Sequence, residues 1–204
     1  MLADLSFDRH VSIVSASSFY WLRQLQRSRR SLDTESAATL VHSFVASRID
    51  YCNAVLAGAP KATTNKLQRV LNAAARVVSG THKFDRGLSR LLHTELHWLD
   101  VPERVVYKLG VTVLNCLHGQ APPYLVELCQ PVAGVASWQH LRSATRQLLV
   151  VLRHQFSSYG RWAFCVAGPS IWNSLPDSLR NPIIGENSFR QFLKTFSFAT
   201  YWCI

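Results

Sequence analysis

Long runs of apolar residues at helical spacing, each stopped by glycine or proline, limit most strongly what this chain can fold into. Leu67, Val70, Leu71, Ala74, Val77 and Val78 fall on one face of a helix. A strand would send the same residues to both faces, because its side chains alternate. The spacing predicts a helix from about Thr64 to Ser79, ended by Gly80. Val11, Val14, Ser18, Trp21, Leu22 and Leu25 predict an earlier one from Asp8 to about Arg27, after which Ser31-Leu32-Asp33-Thr34 offers caps. Val41, Phe44, Val45, Ile49, Cys52, Val55 and Leu56 predict a second helix, from about Thr34 to Ala57, with Gly58 and Pro60 as its stop. A short helix from Leu88 to His93 follows. Pro102 opens a long one through Val105, Val106, Leu109, Val113, Cys116 and Leu117, closed by Gly119. Pro122-Pro123 starts another short helix through Leu128, and Ser188 caps a last one through Phe189, Phe192, Leu193 and Phe196. Leu148 to Leu152 is either a short buried strand or a helical turn, since periodicity does not decide for so short a run. The fold class expected is mainly α.

Composition fits a globular chain: 204 residues, 48% hydrophobic and 17% charged, long enough to bury a core. The formal charge of +10 favours polyanionic partners, nucleic acid first and an anionic membrane surface second. The charge is clustered. From Leu128 to Pro176 there is no Asp or Glu, yet Arg142, Arg146, Arg153, Arg161, His140 and His154 are present. Arg23, Arg27, Arg29 and Arg30 form a second basic run, which a solvated helix face also explains. On the third helix the outer face reads Lys66, Arg69, Ala73 and Arg76. An amphipathic core helix with a solvated basic face gives this pattern. So does a helix laying a cationic strip along a sugar–phosphate backbone, with Ala73 small enough to allow close approach. Trp138, Tyr159 and Trp162 lie near Arg142 and Arg161, and exposed aromatics beside arginine can stack on bases. For Trp98 and Trp172 a core anchor with a satisfied N–H is the better reading.

Several chemistries lack their residues. The five cysteines, Cys52, Cys116, Cys129, Cys165 and Cys203, contain no CxxC, and most of them read as reduced core residues of an intracellular protein, nuclear or cytoplasmic. The start of the chain is not a signal peptide, and no apolar run approaches ~18 residues. His93-Thr-Glu-Leu-His97 begins like a deaminase signature but lacks its Pro-Cys-x-x-Cys, and like a helical zinc site but lacks a third ligand. Ser170 in Gly168-Pro-Ser-Ile-Trp172 sits in a nucleophile elbow with its second glycine replaced by tryptophan. Cys116 and His118 are neighbours in sequence only. No glycine-rich phosphate loop occurs. No catalytic residue, metal ligand or cofactor is therefore assigned, and Asp50 is expected to pair with Arg48 or another basic side chain.

Ordered blocks carry a resemblance. They are Ser47-Arg-Ile-Asp-Tyr-Cys-Asn53, Lys66-Leu-Gln-Arg-Val-Leu-Asn-Ala-Ala-Ala-Arg76, Leu96-His-Trp-Leu99, Cys116-Leu-His-Gly-Gln-Ala-Pro-Pro-Tyr-Leu125 and Trp172-Asn-Ser-Leu-Pro176. Together they resemble the part of LINE-type, jockey-like non-LTR retrotransposon polymerases that follows the catalytic palm. The likeness runs from Leu5-Ser-Phe-Asp-Arg-His10 to the Phe189–Phe196 helix. It implies a thumb-like helical bundle over 1–80, a helical continuation over 81–130 and a basic region over 131–204. The parent enzymes hold two metals with adjacent aspartates. The seven aspartates here (Asp4, Asp8, Asp33, Asp50, Asp85, Asp100 and Asp177) include no such pair. The resemblance therefore implies a catalytically incomplete fragment, and both chain edges read as a frame cut from a decayed insertion. The expected partner is a template–primer duplex, bound without sequence choice by Lys66, Arg69 and Arg76, with Arg23, Arg27, Arg29, Arg30, Arg142 and Arg161 adding positive field. A protein-interaction or self-association module, or a product with no selected function, are the rival expectations.

Overall fold

The structure, a computed structural model, describes residues 7–82, 84–135, 146–152, 163–181 and 183–202. It is mainly helical, and no strand or sheet forms among the described residues. The chain groups into two compact units, Met1–Arg104 and Val105–Ile204. The division between them falls inside the helix Val101–Leu117. Among the described residues no helix is long and apolar enough to cross a membrane.

In the first unit, α1 (Phe7–Ser28) packs against α4 (Lys61–Ser79), and α2 (Thr34–Val41) packs against both. The apolar stripes read from the sequence are the buried faces. Val11, Ser18 and Leu22 of α1 and all six stripe residues of α4 are buried. Asp33 caps α2 by accepting from the Ser36 N–H at 3.3 Å, and hydrogen bonding from the Ser36 side chain, then from its backbone, holds the Asp33 carboxyl below the usual range. Gly80 ends α4 in the left-handed region, at φ 72°.

The second predicted helix is not continuous to Ala57. After α2 the chain makes one wide turn with π-type bonding, His42–Ala46, and then α3 (Ser47–Asp50). It breaks at Tyr51, whose ψ is 120°, and Cys52 takes φ 54° before the tight turn Asn53–Leu56. The break resets the register: Val41, Val45 and Ile49 are buried, whereas Cys52 and Val55 face outward. Asp50, at the end of α3, pairs with Arg104 at 2.8 Å, while Arg48 donates to Ser17 Oγ at 2.8 Å. Then come α5 (Leu88–Arg90), a wide turn at Leu91–Glu95 and the start of α6 (Val101–Leu117).

In the second unit, α6 meets α8 (Phe164–Ser174) and α9 (Glu186–Trp202) around Val113, Leu114, Trp172, Phe189 and Leu193. A Cβ placed on Gly110 would lie 2.9 Å from Leu193 Cδ2, so Leu193 of α9 packs into the space that a side chain there would take. The short α7 (Pro123–Val126) leads back to Cys129, which is buried in the same core as Cys116. Burial pushes both thiols up, Cys129 to about 12. Helix α9 begins at Glu186, so Ser188 lies in its first turn and does not cap it.

Residues 148–152 form neither a strand nor a helical turn. A single antiparallel bridge joins Pro131 and Leu149, with Val132 N–H on Leu148 O and Val150 N–H on Gln130 O, each at 2.9 Å. The other edge is closed by a side chain. Asn173 accepts from Leu149 N–H at 2.8 Å and donates to Leu149 O at 2.9 Å, while Trp172 Nε1 donates to Gln147 O at 2.9 Å. Thus the Trp172-Asn-Ser-Leu-Pro176 block is an internal clasp. Trp172 is fully buried and its N–H is satisfied, the anchor role its sequence favours.

Candidate nucleic-acid interface

Helix α4 turns its apolar stripe inward and so must turn Lys66, Arg69, Ala73 and Arg76 outward. The four do not behave alike. Lys66 Nζ lies 3.7 Å from Asp8 Oδ1 on α1, and that carboxylate also accepts from Thr63 Oγ1 at 2.8 Å. The Lys66 side chain is 43% exposed, so water screens the pair and the cation is only partly offset. Arg69 is exposed and Arg76 half-buried, and among the described residues neither guanidinium has a hydrogen bond or ion pair. Both border an open groove of about 480 Å³ between α1 and α4. Phe19 and Gln26 form its α1 wall, and Asn72, Ala73 and Val77 lie between and beside the arginines. Thr81 and His82 close one end.

The Arg23–Arg30 run divides. Arg29 does not add its charge to an outer surface. Its Nε and Nη2 donate to the carbonyls of Val77 and Val78, each at 2.8 Å, and its Nη1 to Leu32 O at 2.7 Å. It caps the C-terminal carbonyls of α4, where the helix dipole is negative. An anion approaching Arg76, in the last turn of α4, therefore meets less opposing field. Arg27 donates to Gln24 at 3.4 Å, and Arg23 and Arg30 are exposed. Arg23 stands four residues after Phe19 and three before Gln26, so it shares the α1 face that walls the groove. Arg142 and Arg161, with Trp138, Tyr159 and Trp162, lie outside the described residues.

Other motifs resolve as structure. His93 is buried, with Nδ1 3.0 Å from Trp98 O and Nε2 3.7 Å from Asp100. His97 follows the wide turn with φ 51° and is exposed, so the two histidines do not share a regular helix face. Asp100 accepts from Gln68 Nε2 at 2.7 Å; the same amide donates to Asn72 Oδ1 at 3.0 Å, and Gln68 Oε1 accepts from Val101 N–H at 2.9 Å. Cys116 lies against Cys129, and its thiol is pushed up by burial, the opposite of activation.

Phe19, Gln26 and Asn72 were not singled out from sequence. Phe19 carried a usable signal: it is a large aromatic lying off the α1 stripe of Val11, Val14, Ser18, Trp21, Leu22 and Leu25. No protein-family model, curated protein or solved structure matches this chain.

Proposed function

We propose that this chain is a catalytically incomplete fragment of a LINE-type retrotransposon polymerase that binds nucleic-acid duplex through the phosphate backbone. The observation that carries the reading is the pair Arg69 and Arg76, unpartnered among the described residues and seven apart on the outer face of α4, with Ala73 between them. Seven residues rise about 10.5 Å along a helix. That spacing lets the two guanidinium groups reach separate phosphates of one strand. Contacts of this kind give affinity and register but no sequence choice. Lys66 and Arg23 extend the cationic face on either helix.

The test is fluorescence anisotropy of a labelled RNA–DNA hybrid, titrated from low to physiological salt. Saturable binding with a steep log–log salt slope is expected. Arg69→Glu/Arg76→Glu should weaken binding at least ten-fold and flatten the slope by about two charges or more. Unchanged binding by a variant with unchanged helicity would overturn the reading.

A further inference from the structure

We propose that the groove between α1 and α4 seats one unpaired nucleotide, its base against Phe19 and its flanking phosphates on Arg69 and Arg76. The inference rests on the nucleic-acid reading above and narrows it, because phosphate contacts alone need no groove. The groove, about 480 Å³, has the size of a small-ligand cleft and is open to solvent. Phe19, Ala73 and Val77 give it an apolar lining, and Arg69 and Arg76 line it with them. A base has the complementary form: a flat π-face, a polar edge and a phosphate on either side. Stacking on an aromatic ring tolerates any base, and arginine adds to it.

A polar group in the groove is held in one orientation. The Val101 N–H must meet an oxygen, so it fixes Gln68 with Oε1 toward it and Nε2 toward Asp100 and Asn72. Asn72 must then offer its oxygen to Gln68. Its Nδ2 remains a donor, on a side chain that lines the groove. A donor there suits the carbonyl or ring-nitrogen acceptors of a base edge and repels no phosphate. A base inside a duplex cannot present that edge without being unpaired and unstacked, at a cost of a few kcal/mol. The groove therefore favours single strands, overhangs and frayed ends.

The experiment compares three labelled probes by anisotropy at one ionic strength: a short single strand, an abasic strand of the same length and charge, and a blunt duplex. The base-bearing strand should bind about 5- to 100-fold tighter than the abasic one. Phe19→Leu keeps apolar bulk and removes the ring; it should collapse that ratio while leaving duplex affinity and salt slope unchanged. Phe19→Ala should do the same, with helicity measured for both variants. Equal binding of base-bearing and abasic strands, both weakened by Arg69→Glu/Arg76→Glu, would overturn the base site and leave the phosphate reading standing. No binding of any probe by the folded chain would overturn both.

Discussion

Arg29 and Asn173 do work that residue type alone does not announce. Arg29 sits in a run of four arginines that reads as a charged surface, yet its planar fork reaches three carbonyls from two segments. Those carbonyls include the last turn of α4, where unsatisfied C=O groups need donors. Lysine could not span them, because its ammonium is a point charge with no fixed fork. Arg29→Ala should therefore lower stability by about 2–3 kcal/mol, read as a lower denaturation midpoint at unchanged m-value, and Arg29→Lys should recover little of it. Asn173 is the same lesson without charge. Its side-chain amide pairs both ways with Leu149, standing where a further strand would stand. Neither role was legible in sequence, since both depend on partners 24 to 49 residues away.

At the scale of elements, legibility followed periodicity. Helix α4 was readable because six apolar positions and one terminal glycine agree on a single geometry. The groove beside it was half readable. Arg69, Ala73 and Arg76 could be read from α4 alone, but the α1 wall needs the packing of two helices, which no single periodicity encodes. The stretch from Thr34 misled for a specific reason. Its apolar spacing continues through Cys52 and Val55, but the wide turn at His42–Ala46 and the left-handed Cys52 rotate those residues outward. Left-handed backbone at a non-glycine residue costs about 1–2 kcal/mol. Cys52→Gly should then raise stability by about 0.5–1 kcal/mol, after its larger unfolded-state entropy is counted, and Cys52→Val should lower it by at least as much. Thermal melts of the two variants check this, and equal melting temperatures would show that the turn carries no strain.

At the scale of the whole chain, the charge divides evenly. Residues 1–104 hold fourteen basic and nine acidic side chains and residues 105–204 hold eight and three, so each unit carries +5. Net charge therefore does not single out a surface; the proposed interface rests instead on two arginines that are unpartnered among the described residues and border a groove. Packing within the second unit turns on Gly110. Gly110→Val should destabilise by about 1–3 kcal/mol, because two more methyls would press on Leu193 in a closed core. Gly110→Ala should be close to neutral, since only the flexible end of Leu193 must yield and alanine favours the helix by about 1 kcal/mol. Chemical denaturation of both variants separates the two effects. Along α9 the inward positions are Phe189, Leu193 and Ser197, one helical turn apart. A slip of α9 by one turn would bring Phe189 or Ser197 to the recess that Leu193 now fills. The first is too bulky for it and the second would bury a hydroxyl there, so the absent side chain at Gly110 works as a detent that indexes α9 to a single axial setting.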